Sequence, residues 1–144
     1  IFERLVADLI VIESQSVEIL DDHFIKGVVF AVCGDNLGSH GVGGFVESFW
    51  RTKFFCRYCL ITCAEFEDDP LSMGVRRSPE NYQASIDNMT DDDLERNQGI
   101  KFSSPFNELN YYHVCQPGLP PCLAHDIFEG ILAHDLMLYI ANFV

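Results

Sequence analysis

Seven consecutive residues, Gly27, Val28, Val29, Phe30, Ala31, Val32 and Cys33, form a nearly unbroken apolar run rich in β-branched side chains, and it stops at Gly34, Asp35 and Asn36. A short run that is apolar on both alternating faces predicts a strand buried on both sides, of the kind found inside a parallel or mixed sheet. Cys33 belongs to its core. Upstream, Leu5, Leu9 and Ile12, widened by Val6 and Ile10, predict a helix over residues 1–13 packed against that sheet. Downstream, Gly38, Gly41, Gly43 and Gly44 predict a loop, and a short helix resumes over 45–50. The glycine order matches neither a nucleotide phosphate loop nor the dinucleotide spacing.

The chain has 144 residues, 48% of them hydrophobic, which suits one folded domain and excludes a disordered tail. Nine Lys and Arg stand against 22 Asp and Glu, and the net charge of -13 opposes tight binding of this chain alone to nucleic acid. The first residue is Ile1, with no signal-peptide pattern, so we read the chain as a piece of a longer polypeptide. The longest apolar stretch, 127–144, is broken by Glu129, His134 and Asp135, so no membrane span is expected. Six cysteines are too few for a disulfide scaffold of this length and point to a reducing compartment, nuclear or cytoplasmic and not secreted.

Between Glu65 and Glu95 ten acids face only Arg76 and Arg77, which marks a solvated, insertion-like segment. Within it, Thr90 reads as a helix cap followed by Asp91, Asp92 and Asp93 in the first turn, where the helix dipole favours them. The same acids could instead ligate a hard cation. Tyr111, Tyr112, His113, Val114 and Cys115 read as a brief strand between turns. A helix is predicted from Cys122 onward, with apolar positions continuing through Leu136, Ile140 and Phe143.

Three groups of residues could carry chemistry. Asp35 ends the predicted strand, where an open loop leaves a carboxylate free, although Asp before Asn is also a good turn former. Cys56 and Cys59 offer two soft ligands on one turn, and Cys122 with His125 offers a second pair at the same spacing, together a Cys3His set for Zn²⁺. The 62 residues between Cys59 and Cys122 would make such a metal a pin between an insertion and a helix. Cys63, Cys115 and His113 are substitutes for the set. Asp126 and Glu129 share one helical face beside His125, suited to a divalent metal or acid–base work, or to a plain role as helix-dipole partners. A thiol-redox use of the Cys-x-x-Cys is a third alternative.

The blocks Gly34-Asp35-Asn36-Leu37-Gly38-Ser39-His40, Gly44-Phe45-Val46-Glu47-Ser48-Phe49, Phe55-Cys56-Arg57-Tyr58-Cys59, Gly99-Ile100-Lys101, Phe106-Asn107-Glu108-Leu109, Tyr112-His113-Val114 and His125-Asp126-Ile127-Phe128-Glu129-Gly130 fall in an order that resembles the central part of DDE-type transposases. The likeness is to the CACTA and Tnp2-like group, transposon-encoded or domesticated, and spans about residues 1–136. The resemblance implies an α/β fold, a partial RNase H-like core of mixed sheet and flanking helices that carries an irregular, acidic, zinc-pinned insertion. It implies that Asp35 is the second of three catalytic carboxylates, with Asp126 or Glu129 as alternatives. Those carboxylates would hold Mg²⁺ or Mn²⁺ for phosphodiester cleavage and strand transfer. It also implies a structural zinc on Cys56, Cys59, Cys122 and His125.

These readings divide the chain into residues 1–55 as part of the RNase H-like core, 56–121 as the cysteine-containing insertion and 122–144 as a core helix. The first and last carboxylates of the triad are expected outside the sequence, so the chain alone is expected to be inactive. DNA would be engaged through the full-length parent, which could form a homo-oligomer. The alternative is a non-catalytic, zinc-stabilised protein-interaction module, a remnant in which Asp35 only caps a turn.

Overall fold

The computed structural model describes residues 2–49, 52–89 and 93–143. The predicted cap at Thr90, with Asp91 and Asp92, lies outside them. The observed elements are helices joined by long irregular segments and one small sheet, loosely an α/β composition.

Helix α1 (Glu3–Ser14) forms where the apolar periodicity predicts it. The face it buries is Val6, Leu9, Ile10 and Glu13 rather than the stripe through Leu5, which stays exposed. Both faces are apolar enough to serve, and two contacts select between them. Phe2 lies 5.5 Å from Phe106, and Glu13, about three turns further along, accepts the Asn110 backbone N–H at 2.8 Å. A buried carboxylate is tolerated there because a backbone donor meets it.

After α1 come β1 (Val17–Leu20) and β2 (His23–Ile25), an antiparallel hairpin that turns at Asp21 and Asp22. Asp22 adopts the left-handed region (φ 62) that a tight turn requires and Asp tolerates. This is the sheet of the described residues. The run 27–33, predicted as a strand buried on both faces, forms no regular element and pairs with no strand among the described residues. Val29 and Val32 pack onto the core, while Val28 is 60% and Phe30 81% exposed, and Cys33 is exposed as well. Sequence pattern reports that a segment could be sandwiched. Only partners on both sides make it so, and the run has neither a ladder neighbour nor a covering layer on its outer face.

Helix order around the glycines is also reversed from expectation. α2 (Asn36–Gly43) occupies the predicted loop, and 45–49 carries a single bridge, Phe45 to Ile100, in place of the predicted helix. Glycine is a poor helix former, costing about 1 kcal/mol per residue against Ala. Here the loss is offset by a side-chain cap from Asp35 and by close packing, since a Cβ on Gly43 would collide with the Phe45 ring and Leu119.

α3 (Cys63–Asp68) and α4 (Pro79–Asp87) both open on capping boxes, from Thr62 with Glu65 and from Ser78 with Asn81. A 3₁₀ turn (Pro105–Glu108) receives α1, and wide turns at Val114–Gly118 replace the predicted strand at 111–115. The central cluster is Val6, Phe45, Tyr82, Ile100, Phe106, Leu109, Tyr112, Val114 and Leu119. Seven of these nine residues come from 56–121, the segment assigned to the cysteine-containing insertion, but only Tyr82 from the acid-rich 65–95 stretch read as solvated.

The terminal helix does form, as a wide-turned Leu123–Ile131 running into α5 (Leu132–Phe143), but none of its described residues is buried. It is therefore not a core helix among the described residues. None of their helices is long and apolar enough to cross a membrane.

His40 supplies a pH signature of this packing. Its ring sits 4.7 Å from Phe49, its Nδ1–H donates to the Val46 carbonyl at 2.6 Å, and burial pulls its pKa down to about 4. An unfolded histidine titrates near 6.5, so between those values the unfolded chain binds the proton and the folded one does not. Stability is then full above about pH 6.5 and falls as pH drops toward 4, by about 3 kcal/mol at most. Urea midpoints at pH 7.5 and 5 test this. An equal fall in His40→Gln would assign the effect to other groups.

Candidate functional site

The residues singled out from sequence meet around a side chain that was not. Arg57, inside the Cys-x-x-Cys, is only 5% exposed. Its backbone neighbours are fixed by a short two-stranded ladder, with Leu60 N–H on Val75 O at 2.8 Å and Arg77 N–H on Tyr58 O at 2.9 Å. From there its guanidinium reaches three segments. Nη1 donates to the Asn36 side-chain oxygen at the start of α2. Nη2 donates to the Tyr58 hydroxyl at 2.5 Å, and the same nitrogen stands 3.9 Å from Asp126 Oδ2 in the terminal helix. The guanidinium also stacks over the Tyr58 ring at 4.4 Å, and the Tyr58 hydroxyl donates to Leu119 O at 3.1 Å. Planar, five-donor Arg can join several acceptors in this way where Lys could not.

Asp35 is the N-cap of α2. Its Oδ1 accepts the Gly38 N–H at 2.6 Å, and its side chain is exposed. Asp126 is likewise engaged, accepting the Cys122 N–H at 2.8 Å. Cys122 Sγ lies 3.1 Å from His125 Nδ1, and each stabilises the other's charged form: the thiol pKa is drawn down, the imidazole pKa up. Glu129 and Asp35 push the imidazole further in the same direction, which sets Asp35 within electrostatic reach of the terminal helix.

Burial raises the Cys56 thiol despite the Tyr58 N–H that donates to it at 3.3 Å, and Cys59 lies close enough to influence it. Of the substitutes, Cys63 donates to Thr52 O at 3.1 Å, and His113 Nδ1 accepts the Cys115 backbone N–H at 3.0 Å. No group of three or more His, Cys, Asp and Glu among the described residues is arranged to hold a metal ion, so the two pairs are linked through Arg57 rather than joined. Nor do three carboxylates converge on Asp35, and the space between Asn36 and Asp126 belongs to a guanidinium. As arranged, the described residues do not complete either metal centre.

Beside α2, Asn36, Phe49, Phe55, Cys63, Phe66 and Glu67 wall a mostly aromatic cavity of about 280 Å³. Arg57 was missed because a charged residue between two cysteines reads as exposed. The signal that could have found it is its place beside Tyr58, an aromatic face that makes a buried guanidinium tolerable. No protein-family model, no curated protein and no solved structure matches the chain.

Proposed function

We propose that the chain contributes part of the catalytic region of a DDE-type transposase-like protein, acting on DNA in the nucleus through its longer parent. The observation that carries this reading is the convergence on Arg57. Asn36 beside Asp35, the Cys56 to Cys59 block and Asp126 beside His125 are far apart in sequence, are three of the blocks that bear the resemblance, and meet at one side chain. In this reading the RNase H-like core takes Asp35 as one of its carboxylates. Zn²⁺ would be held by Cys56, Cys59, Cys122 and His125, supplying cross-linking rather than chemistry.

A second reading has support of its own. Because the Asp35 carboxylate caps α2 and Arg57 fills the space toward Asp126, these residues could be purely structural, as in a zinc-stabilised interaction module.

Asp35→Asn in the full-length protein separates the two. Asn caps a helix as well as Asp does, so folding and melting temperature should hold while Mg²⁺- or Mn²⁺-dependent strand cleavage disappears. Native mass spectrometry of the same preparation should find one zinc per chain, lost in both Cys56→Ser and His125→Ala. Cleavage that survives Asp35→Asn removes the catalytic role, and metal-free wild-type protein removes the zinc.

A further inference from the structure

Two adjoining cavities open between the segments 57–58 and 76–78 on one side and 114–121 on the other. The larger, about 500 Å³, is walled by Arg76, Arg77, Ser78, Cys115 and Gln116. The smaller, about 270 Å³, shares Arg76 and Cys115 and adds Arg57, Tyr58, Leu119 and Pro120. In a chain with 22 acids and nine basic residues, three of the nine line this cleft, and no Asp or Glu among the described residues does.

The three arginines differ in what they have left to give. Arg77 is 4% exposed. Its Nε donates to Cys56 O at 2.9 Å, its Nη2 to Gln98 O at 2.6 Å, and its plane covers Phe45 at 5.2 Å. Nη1 has no partner, and no carboxylate of the described residues is within ion-pair distance. Arg57 leaves its Nε unpaired as well. Arg76 is exposed and its guanidinium pairs with none of the described residues, while its backbone is held opposite Cys59. The shared wall, Cys115, adds no negative charge, since burial pushes its thiol up to about 11.

A buried cation without a counter-ion is costly, and the surrounding fold keeps Arg77 in that state at the edge of an open cavity, beside an Arg57 whose ion-pair partner, Asp126, stands off at 3.9 Å. Guanidinium forks match the oxygens of a phosphate, and the start of α4 behind Ser78 adds the positive end of a helix dipole. We propose that this cleft binds a phosphate group, with Arg76 making the direct bidentate contact and Arg57 and Arg77 supplying the flanking positive field. The inference shares Arg57 with the transposase-like reading but does not rest on it, because Asp35, Cys56, Cys59, Cys122 and His125 lie outside the cleft lining.

Inorganic phosphate titrated into the 144-residue chain at fixed ionic strength, followed by ³¹P line broadening and by the melting temperature, tests the site. Saturable binding is expected, weakened about tenfold or more in Arg76→Ala and in Arg76→Gln, which retains part of the stem. Arg4→Ala, which removes an equal charge from exposed α1, should bind as wild type. A short single-stranded oligonucleotide without terminal phosphate identifies the source. If it competes and binds more tightly than phosphate, the site takes strand phosphodiesters; if it does not compete, the site takes a free or monoester phosphate. Absence of saturable binding, or equal affinity in both Arg76 variants, overturns the proposal.

Discussion

Gly44→Ala should leave the chain without a cooperative unfolding transition at 25 °C. Gly44 ends α2 in the left-handed region (φ 71), which costs an Ala about 1 to 2 kcal/mol. The larger cost is steric. A Cβ there would drive into the carbonyl oxygen of Phe102, backbone that cannot swing away as a side chain would. Retreat of that strand breaks the Lys101 N–H bond to Gly44 O at 2.7 Å and the Phe45 to Ile100 bridge, and so opens the centre of the hydrophobic cluster. A total above about 4 kcal/mol approaches the whole stability of a small domain. Gly118→Ala is the control. It has the same kind of backbone (φ 88) but nothing within 4 Å of its added Cβ, so it should cost only about 1 to 2 kcal/mol. Circular dichroism melts of the two variants read the difference, and a Gly44→Ala transition within a few degrees of wild type would show that the 101–102 backbone yields.

Tyr82→Phe should cost about 2 to 3 kcal/mol, a large effect for one oxygen atom. Tyr82 is fully buried, with its ring edge-on to Phe45 at 5.7 Å and to His113 at 5.3 Å, contacts that Phe preserves. The hydroxyl is the joint. It donates to Gly43 O at 2.9 Å, lies 3.1 Å from Phe102 O, and accepts the Ser104 N–H at 3.1 Å. Its pKa is pushed up to about 12 by burial, so it remains a donor at any working pH. Removing it deprives the buried Ser104 N–H of its acceptor, which is more costly than the bond was worth. Denaturant titration should show a lower midpoint at unchanged slope. A loss below about 0.5 kcal/mol would mean that Ser104 finds another partner.

Both predictions turn on the same place, where the end of α2, the 99–104 segment and α4 meet, and that place explains what a sequence reading can reach here. Helix α1 was legible because its periodicity is a property of neighbours along the chain. The Cys56 and Cys59 contact and the Cys122 and His125 contact were legible for the same reason, each spanning a single turn. Asp35 was read as ending a strand or forming a turn, but its carboxylate caps the very helix that the glycines argued against. The face by which α1 packs was not legible, because Glu13 looks like a solvent residue until Asn110 is brought to it.

The sequence by itself therefore determined the local pieces: the first and last helices, the nearness of Cys56 to Cys59 and of Cys122 to His125, and the acid-rich balance of the chain. Tertiary structure decided whether the run 27–33 would be a sandwiched strand, that residues 99–119 form the centre, and that Arg57 and Arg77 are buried cations. Helical period, capping and one-turn spacing are set by interactions within a few residues. Burial, strand pairing and the environment of a charge depend on which distant segments arrive, and no pattern within a segment encodes its partners.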